Sequence, residues 1–215
     1  MIEAMPVDPQ PRSLPDAVIA ARVVVLLPDC TLDDAIAPVE VLVQEGLGVL
    51  SVPARGRLTP PELRGVFGRR VVVGVHDLTE PGQADRAVEH EAAFCLPGQA
   101  PDDVWERLAD AGVPTCPPAL TPTEVAAVWR RGVSAVQVAP ADAFGVRYAR
   151  QLRSLVPDAA LIVRGADVAH EATAWLDVGA LAVCVGDRFV GDAFHAGNLG
   201  SLRKRCRQLT AAVKR

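Results

Sequence analysis

The chain has 215 residues, half of them hydrophobic, which suits one domain with a sizeable core. A net charge of −4 and a pI of about 5.6 leave no electrostatic footprint for nucleic acid, and no apolar run is long enough to span a bilayer. Five scattered cysteines without a C-x-x-C pair argue against a disulfide framework and read as small core residues of a reducing, cytoplasmic compartment.

Residues 1–13 read as a loose leader, without the basic start and apolar stretch of a secretory signal, and residues 14–215 as one domain. "SLPDAVIAAR" predicts a short helix, and "RVVVLLP" from Arg22 the first strand. "TLDDAIAPVEVLVQEG" predicts a helix with Thr31 as N-cap, acids in its first turn and Gly46 as its stop. "GVLSVP" from Gly48 is the next strand. Glycines weaken helix formation between Arg57 and Arg69. Six more β-branched or apolar runs follow: "RVVVGV" from Arg70, "AAFCLP" from Ala92, "VPTCP" from Val113, "AVQVAP" from Ala135, "ALIVRG" from Ala160 and "LAVCVG" from Leu181. Helical segments separate the later ones. "APDDVWERLADAG" ends at Gly112. "TPTEVAAVWRRG" opens on the capping-box pair Thr121 and Glu124 and ends at Gly132. "DVAHEATAWLDVG" follows the same plan, and "NLGSLRKRCRQLTAAVKR" is a final amphipathic helix.

The strands are nearly continuous apolar runs, as in parallel strands covered on both faces. About eight strand–helix alternations favour a (β/α)8 TIM barrel with a short N-terminal helix over an open doubly wound sheet, and no G-x-G-x-x-G follows the first strand.

In such a barrel, chemistry gathers at the C-terminal strand ends. Those ends carry Pro28, Asp29, Ser51, Arg55, His76, Asp77, Pro97, Gly98, Cys116, Gln137, Arg164, Gly165, Gly186 and Arg188. Alternation sets Ser51, Pro53 and Arg55 on one face, and Ala135, Gln137 and Ala139 on another. Gln137 then points into a pocket, or belongs to a polar interior layer satisfied by Ser51 or Ser134. Arg55 and Arg164 suit a carboxylate or phosphate, or else pair with acids such as Asp77 or Asp187. The His76–Asp77 pair lacks a specific metal-ligand spacing, and no metal or cofactor is expected.

At these ends the chain resembles the 2-keto-3-deoxy-6-phosphogluconate and 4-hydroxy-2-oxoglutarate aldolases over roughly residues 14–213. The resemblance rests on short anchors. "LSVPAR" (50–55) matches a family strand like L-E-V-T-L-R. "LPG" (96–98) matches S-P-G, and "GVPTCPPALTPTE" (112–124) matches G-x-P-x-x-P-G-x-x-T-P-x-E. "QVAP" (137–140) meets K-F-F-P, "RGAD" meets T-G-G-I, and "VGDRF" (185–189) meets I-G-G-S-W. The resemblance implies a trimeric barrel that cleaves a keto acid to pyruvate through a lysine Schiff base. In it a glutamate moves protons, an arginine holds the carboxylate, and glycine turns hold phosphate.

Carried over, the lysine position is Gln137 and the glutamate position is Ser51, while the arginine is kept as Arg55. Asp77 and Arg164 stand where the family has threonines. Gly165 and Gly186 remain in the phosphate turns, but Ala166 and Asp187 replace glycines, with Arg188 available to offset Asp187. A carboxamide cannot form an imine, and the only lysines, Lys204 and Lys214, lie on the final helix. The expectation is an aldolase-like barrel without Schiff-base activity that binds a small, pyruvate-like carboxylate or keto acid or serves a regulatory role. Two alternatives stand beside it: a lyase with metal-assisted or proton-transfer chemistry using His76 or Asp77, and a non-catalytic oligomeric scaffold whose basic last helix meets a partner.

Overall fold

Eight short parallel strands carry the fold in a computed structural model that describes residues 13–213. They are β1 Val23–Leu26, β2 Val49–Pro53, β3 Val72–Leu78, β4 Cys95–Pro97, β5 Pro118–Ala119, β6 Val136–Val138, β7 Leu161–Arg164 and β8 Ala182–Val185. Their order, β4-β3-β2-β1-β8-β7-β6-β5, runs around a nearly closed (β/α)8 barrel. A single bridge, Cys95 to Thr115, joins the two ends of the sheet. The expected fifth strand around Val113–Pro117 reduces to that bridge, and β5 forms one step later. Pro114, Pro117 and Pro118 have no N–H to give a ladder there.

Helices α1 (Asp16–Ala21), α2 (Leu32–Gln44), α3 (Pro60–Phe67), α4 (Pro81–Glu89), α5 (Asp102–Asp110) and α6 (Pro122–Trp129) alternate with the first six strands. Helices α7 (Val146–Leu155), α8 (Ala169–Asp177), α9 (Asp187–Val190) and α10 (Leu199–Val213) complete the set. The capping residues read from sequence act as such: the Thr31 and Thr121 hydroxyls accept the N–H groups of Asp34 and Glu124. Helix α3 forms where glycines argued against it. Pro60 and Pro61 preset its first turn, and Glu62 accepts the backbone N–H and hydroxyl of Thr59. The expected leader lies almost wholly outside the described residues.

Two apolar clusters hold the layers together. The larger lies between strands and helices and includes Val25, Leu50, Val73, Leu63 and Leu108. The smaller fills the barrel, where Val24, Val49, Phe94, Ala135, Ile162 and Ala182 meet Leu14 and Val18 at the α1 end. Each fully buried Val, Leu or Phe side chain stabilises the fold by roughly 1.5–3 kcal/mol. Gly74 on β3 makes room for the largest of them: a Cβ there would stand 2.5 Å from the Phe94 ring. The N-terminal end of the barrel is thereby closed, and only the C-terminal mouth is left for a site.

Candidate functional site at the barrel mouth

Strand alternation turns Ser51, His76, Gln137 and Arg164 into the barrel one layer above the apolar plug. Ser51, His76 and Gln137 are 0%, 5% and 1% exposed. Ser51 Oγ lies 3.1 Å from His76 Nδ1, and His76 Nε2 lies 3.9 Å from Asp77 Oδ2. Burial pushes the His76 pKa down to about 4, against a partial counter-effect of Asp77, so the ring is neutral at neutral pH. The nearby carboxylate favours the proton on Nε2, which leaves Nδ1 to accept from the Ser51 hydroxyl.

His76 and Asp77 are consecutive, yet both serve the mouth. The β3–β4 register shifts between His76 and Leu78, and Asp77 adopts a left-handed backbone with φ of 57°. Asp is among the few residues that tolerate this region. The bulge aims Asp77 across the barrel to Arg164, whose two guanidinium nitrogens donate to the two carboxylate oxygens at 2.5 and 2.9 Å. Burial, the largest single influence, works to raise the Asp77 pKa, but the hydrogen bonds and charge of Arg164, with a smaller contribution from His76, together hold the carboxyl below its usual range. The same pairing raises the Arg164 pKa. β3 and β7 lie on opposite sides of the barrel, so this pair forms a bar across the mouth.

Arg55 does not join Arg164. It donates to Glu80 and, at 3.3 Å, to Thr79 on the outer rim, with its side chain 66% exposed. Asp77 lies near the end of β3, and Thr79 and Glu80 follow in the β3–α4 connection, so one short stretch of chain engages both arginines. Gln137 bonds with neither Ser51 nor Ser134. Its Nε2 donates to the Pro97 carbonyl at 3.2 Å, and its Oε1 is buried without a partner. Ser134 instead accepts the Thr115 N–H.

After β7 and β8 the chain turns at Gly165, with φ of 102°, and at Gly186. The Gly186 N–H donates to Asp167 Oδ1 at 2.7 Å. Asp187 and Arg188 are exposed beside it. Asp167 and Glu80 were not singled out from sequence; the one available signal was an acid two residues after the strand-end Gly165. All five cysteines are free and buried, and burial pushes the Cys95 and Cys184 thiols up to about 12. Among the described residues, no group of three or more His, Cys, Asp or Glu side chains is placed to hold a metal, and no helix is long and apolar enough to cross a membrane.

The basic last helix is largely matched within the molecule. Arg203 and Arg207 pair with Glu45, and Arg205 donates to the carbonyls of Phe189 and Val190.

Fold and mouth define a parallel barrel whose polar residues are collected at the C-terminal face, opposite an apolar plug. Within that class, the family model for KDPG and KHG aldolase matches residues 15–204, and the chain belongs to this family. It is 24% identical over 195 residues to 2-dehydro-3-deoxy-6-phosphogalactonate aldolase from Escherichia coli (strain K12), covering 89% of this chain and 92% of that protein. The fold is similar to 2-keto-3-deoxy-6-phosphogluconate aldolase of Zymomonas mobilis ZM4, solved with 3-phosphoglycerate. The TM-score is 0.77 at 20% identity, over 92% of this chain and 95% of that one. It is also similar to KDPG aldolase from Legionella pneumophila with pyruvate captured as a covalent carbinolamine (TM-score 0.76, 19% identity, 90% and 96% covered).

Proposed function

We propose that this family member binds a small carboxylate or keto acid at the mouth without forming an imine. The observation that carries the reading is Gln137. Its carboxamide is buried inside the barrel and bonded to Pro97, and the sequence resemblance sets it where the family has its lysine. Lys204 lies on α10, outside the barrel, and among the described residues no other amine side chain exists. Arg164 is the anion anchor of this reading. Its guanidinium meets Asp77 in a two-point geometry that a ligand carboxylate could take over. Pro97, Gly165 and Gly186 form the backbone of the ligand's surroundings, and Arg55 and Arg188 set the charge of the rim. Free, buried cysteines agree with a cytoplasmic setting, and family membership with a homo-oligomer, a trimer by resemblance.

A second reading, proton transfer to or from a keto acid, is favoured by one observation: the Ser51 hydroxyl 3.1 Å from a neutral His76 ring. One set of experiments separates the two. The protein is incubated with pyruvate and borohydride and weighed by mass spectrometry. Pyruvate release from 2-keto-3-deoxy-6-phosphogluconate and 4-hydroxy-2-oxoglutarate is followed with and without divalent metal. The expected result is no reduced adduct and no release from the native chain, with an adduct appearing in Gln137→Lys. Robust metal-independent release by the native chain would overturn the binding reading. Exchange of the pyruvate methyl protons for deuterium, lost in His76→Gln, would favour proton transfer.

A further inference from the structure

In (β/α)8 barrels the turns after β7 and β8, together with a short extra helix, are where phosphate is commonly held, because their N–H groups converge on an anion. In this chain Gly165, Gly186 and the four-residue α9 stand at those places. Their anion is already present and belongs to the protein. Asp167, half-buried in the turn after β7, accepts the Gly186 N–H at 2.7 Å.

The surroundings repeat that sign. A Cβ on Gly165 would come within 3.1 Å of Asp142 Oδ1, so the turn is packed against a second carboxylate. Glu171, one helical turn on, has a buried Oε2 without a partner, and Asp187 opens α9. Asp167 and Asp187 lie in the two turns with Asp142 and Glu171 beside them; against these acids stand Arg188 and Arg164, the latter already paired with Asp77. A phosphate dianion would have to displace Asp167 from Gly186 and then sit among like charges.

We infer that Asp167 is a specificity-determining residue: by supplying its own carboxylate to Gly186 it closes the turns after β7 and β8 to phosphate, so the ligand is a keto acid without a phosphate group. The inference rests on the reading that the mouth takes a keto acid. It concerns the turns after β7 and β8 rather than the Arg164–Asp77 pair and can be tested separately.

The test uses inorganic phosphate and pyruvate as probes on the full chain, with thermal unfolding as readout and chloride at matched ionic strength as control, since only a species that binds the folded state raises Tm. Native protein is expected to show no phosphate-specific rise. Asp167→Ala, checked for native circular dichroism, is expected to show one, with phosphate affinity at least about tenfold above native. Asp167→Asn retains an oxygen for the Gly186 N–H, so its response is expected to stay closer to native than to Asp167→Ala. A phosphate-specific rise in Tm of the native chain would overturn the inference, as would a folded Asp167→Ala that gains nothing. The native titration alone keeps it falsifiable if the alanine variant does not fold. A pyruvate response absent from every variant, with the phosphate pattern intact, would instead sink the keto-acid reading and leave the exclusion of phosphate standing.

Discussion

At the α1 end the barrel interior is filled by Leu14, Val18, Val49, Phe94 and Ile162, none more than 4% exposed, while at the mouth the strands carry Ser51, His76, Gln137 and Arg164. The two layers are built from the same alternating faces only two residues apart. The lower layer needs only shape. The upper layer must satisfy polar atoms in a confined space and does so mostly by pairing them with one another. The fold can therefore be carried by one end while the other end changes its chemistry, and damage to the two ends should look different.

The largest expected effect belongs to the lower layer. Phe94→Ala should destabilise the protein by about 3–5 kcal/mol, seen as a lower denaturation midpoint at unchanged slope, because the plug cannot collapse into the space. The next belongs to the mouth and depends on pH. His76 binds its proton less readily folded than unfolded, so stability should rise with pH between about 4 and 6.5 and level off above. The full span is worth about 3 kcal/mol, and His76→Gln should remove this part of the slope in denaturation curves taken across that range. The smallest is Asp77→Ala, which leaves Arg164 unpaired. It should cost about 1–2 kcal/mol, reduced by the partial exposure of both groups. A double-mutant cycle with Arg164→Met measures that coupling. Equal pH slopes in native and His76→Gln, or no coupling across the bar, would show that the mouth is held by something other than these pairs.

Most of the architecture was legible because alternation and capping are local. Eight β-branched runs, the Thr31 and Thr121 caps, and the inward position of Ser51 and Gln137 all follow from neighbours within a few residues. β5 was misplaced by a few residues because prolines break the ladder where hydrophobicity alone suggests a strand. The partners of the charged groups were harder to read. Asp77 meets Arg164 across 87 positions of sequence, and only after a bulge has rotated it out of the alternating pattern. Asp167 reaches Gly186 from a turn, where no periodicity fixes a side chain's direction. Sequence supplied Asp77 as one candidate partner of Arg164 but gave no sign that Glu80 would take Arg55.

Seen as a hoop, the barrel has one poor joint. Every other neighbouring pair of strands is held by a ladder, but β4 and β5 are joined only through the bridge at Thr115. Gln137 on β6 reaches past β5 to the carbonyl of Pro97 on β4, so its amide is a tie-rod laid over that joint. A lysine nitrogen bonded to a carbonyl carbon would keep at most one N–H and would have to follow its substrate, whereas the carboxamide forms no such bond. The tie across the joint is therefore never shared with a reaction.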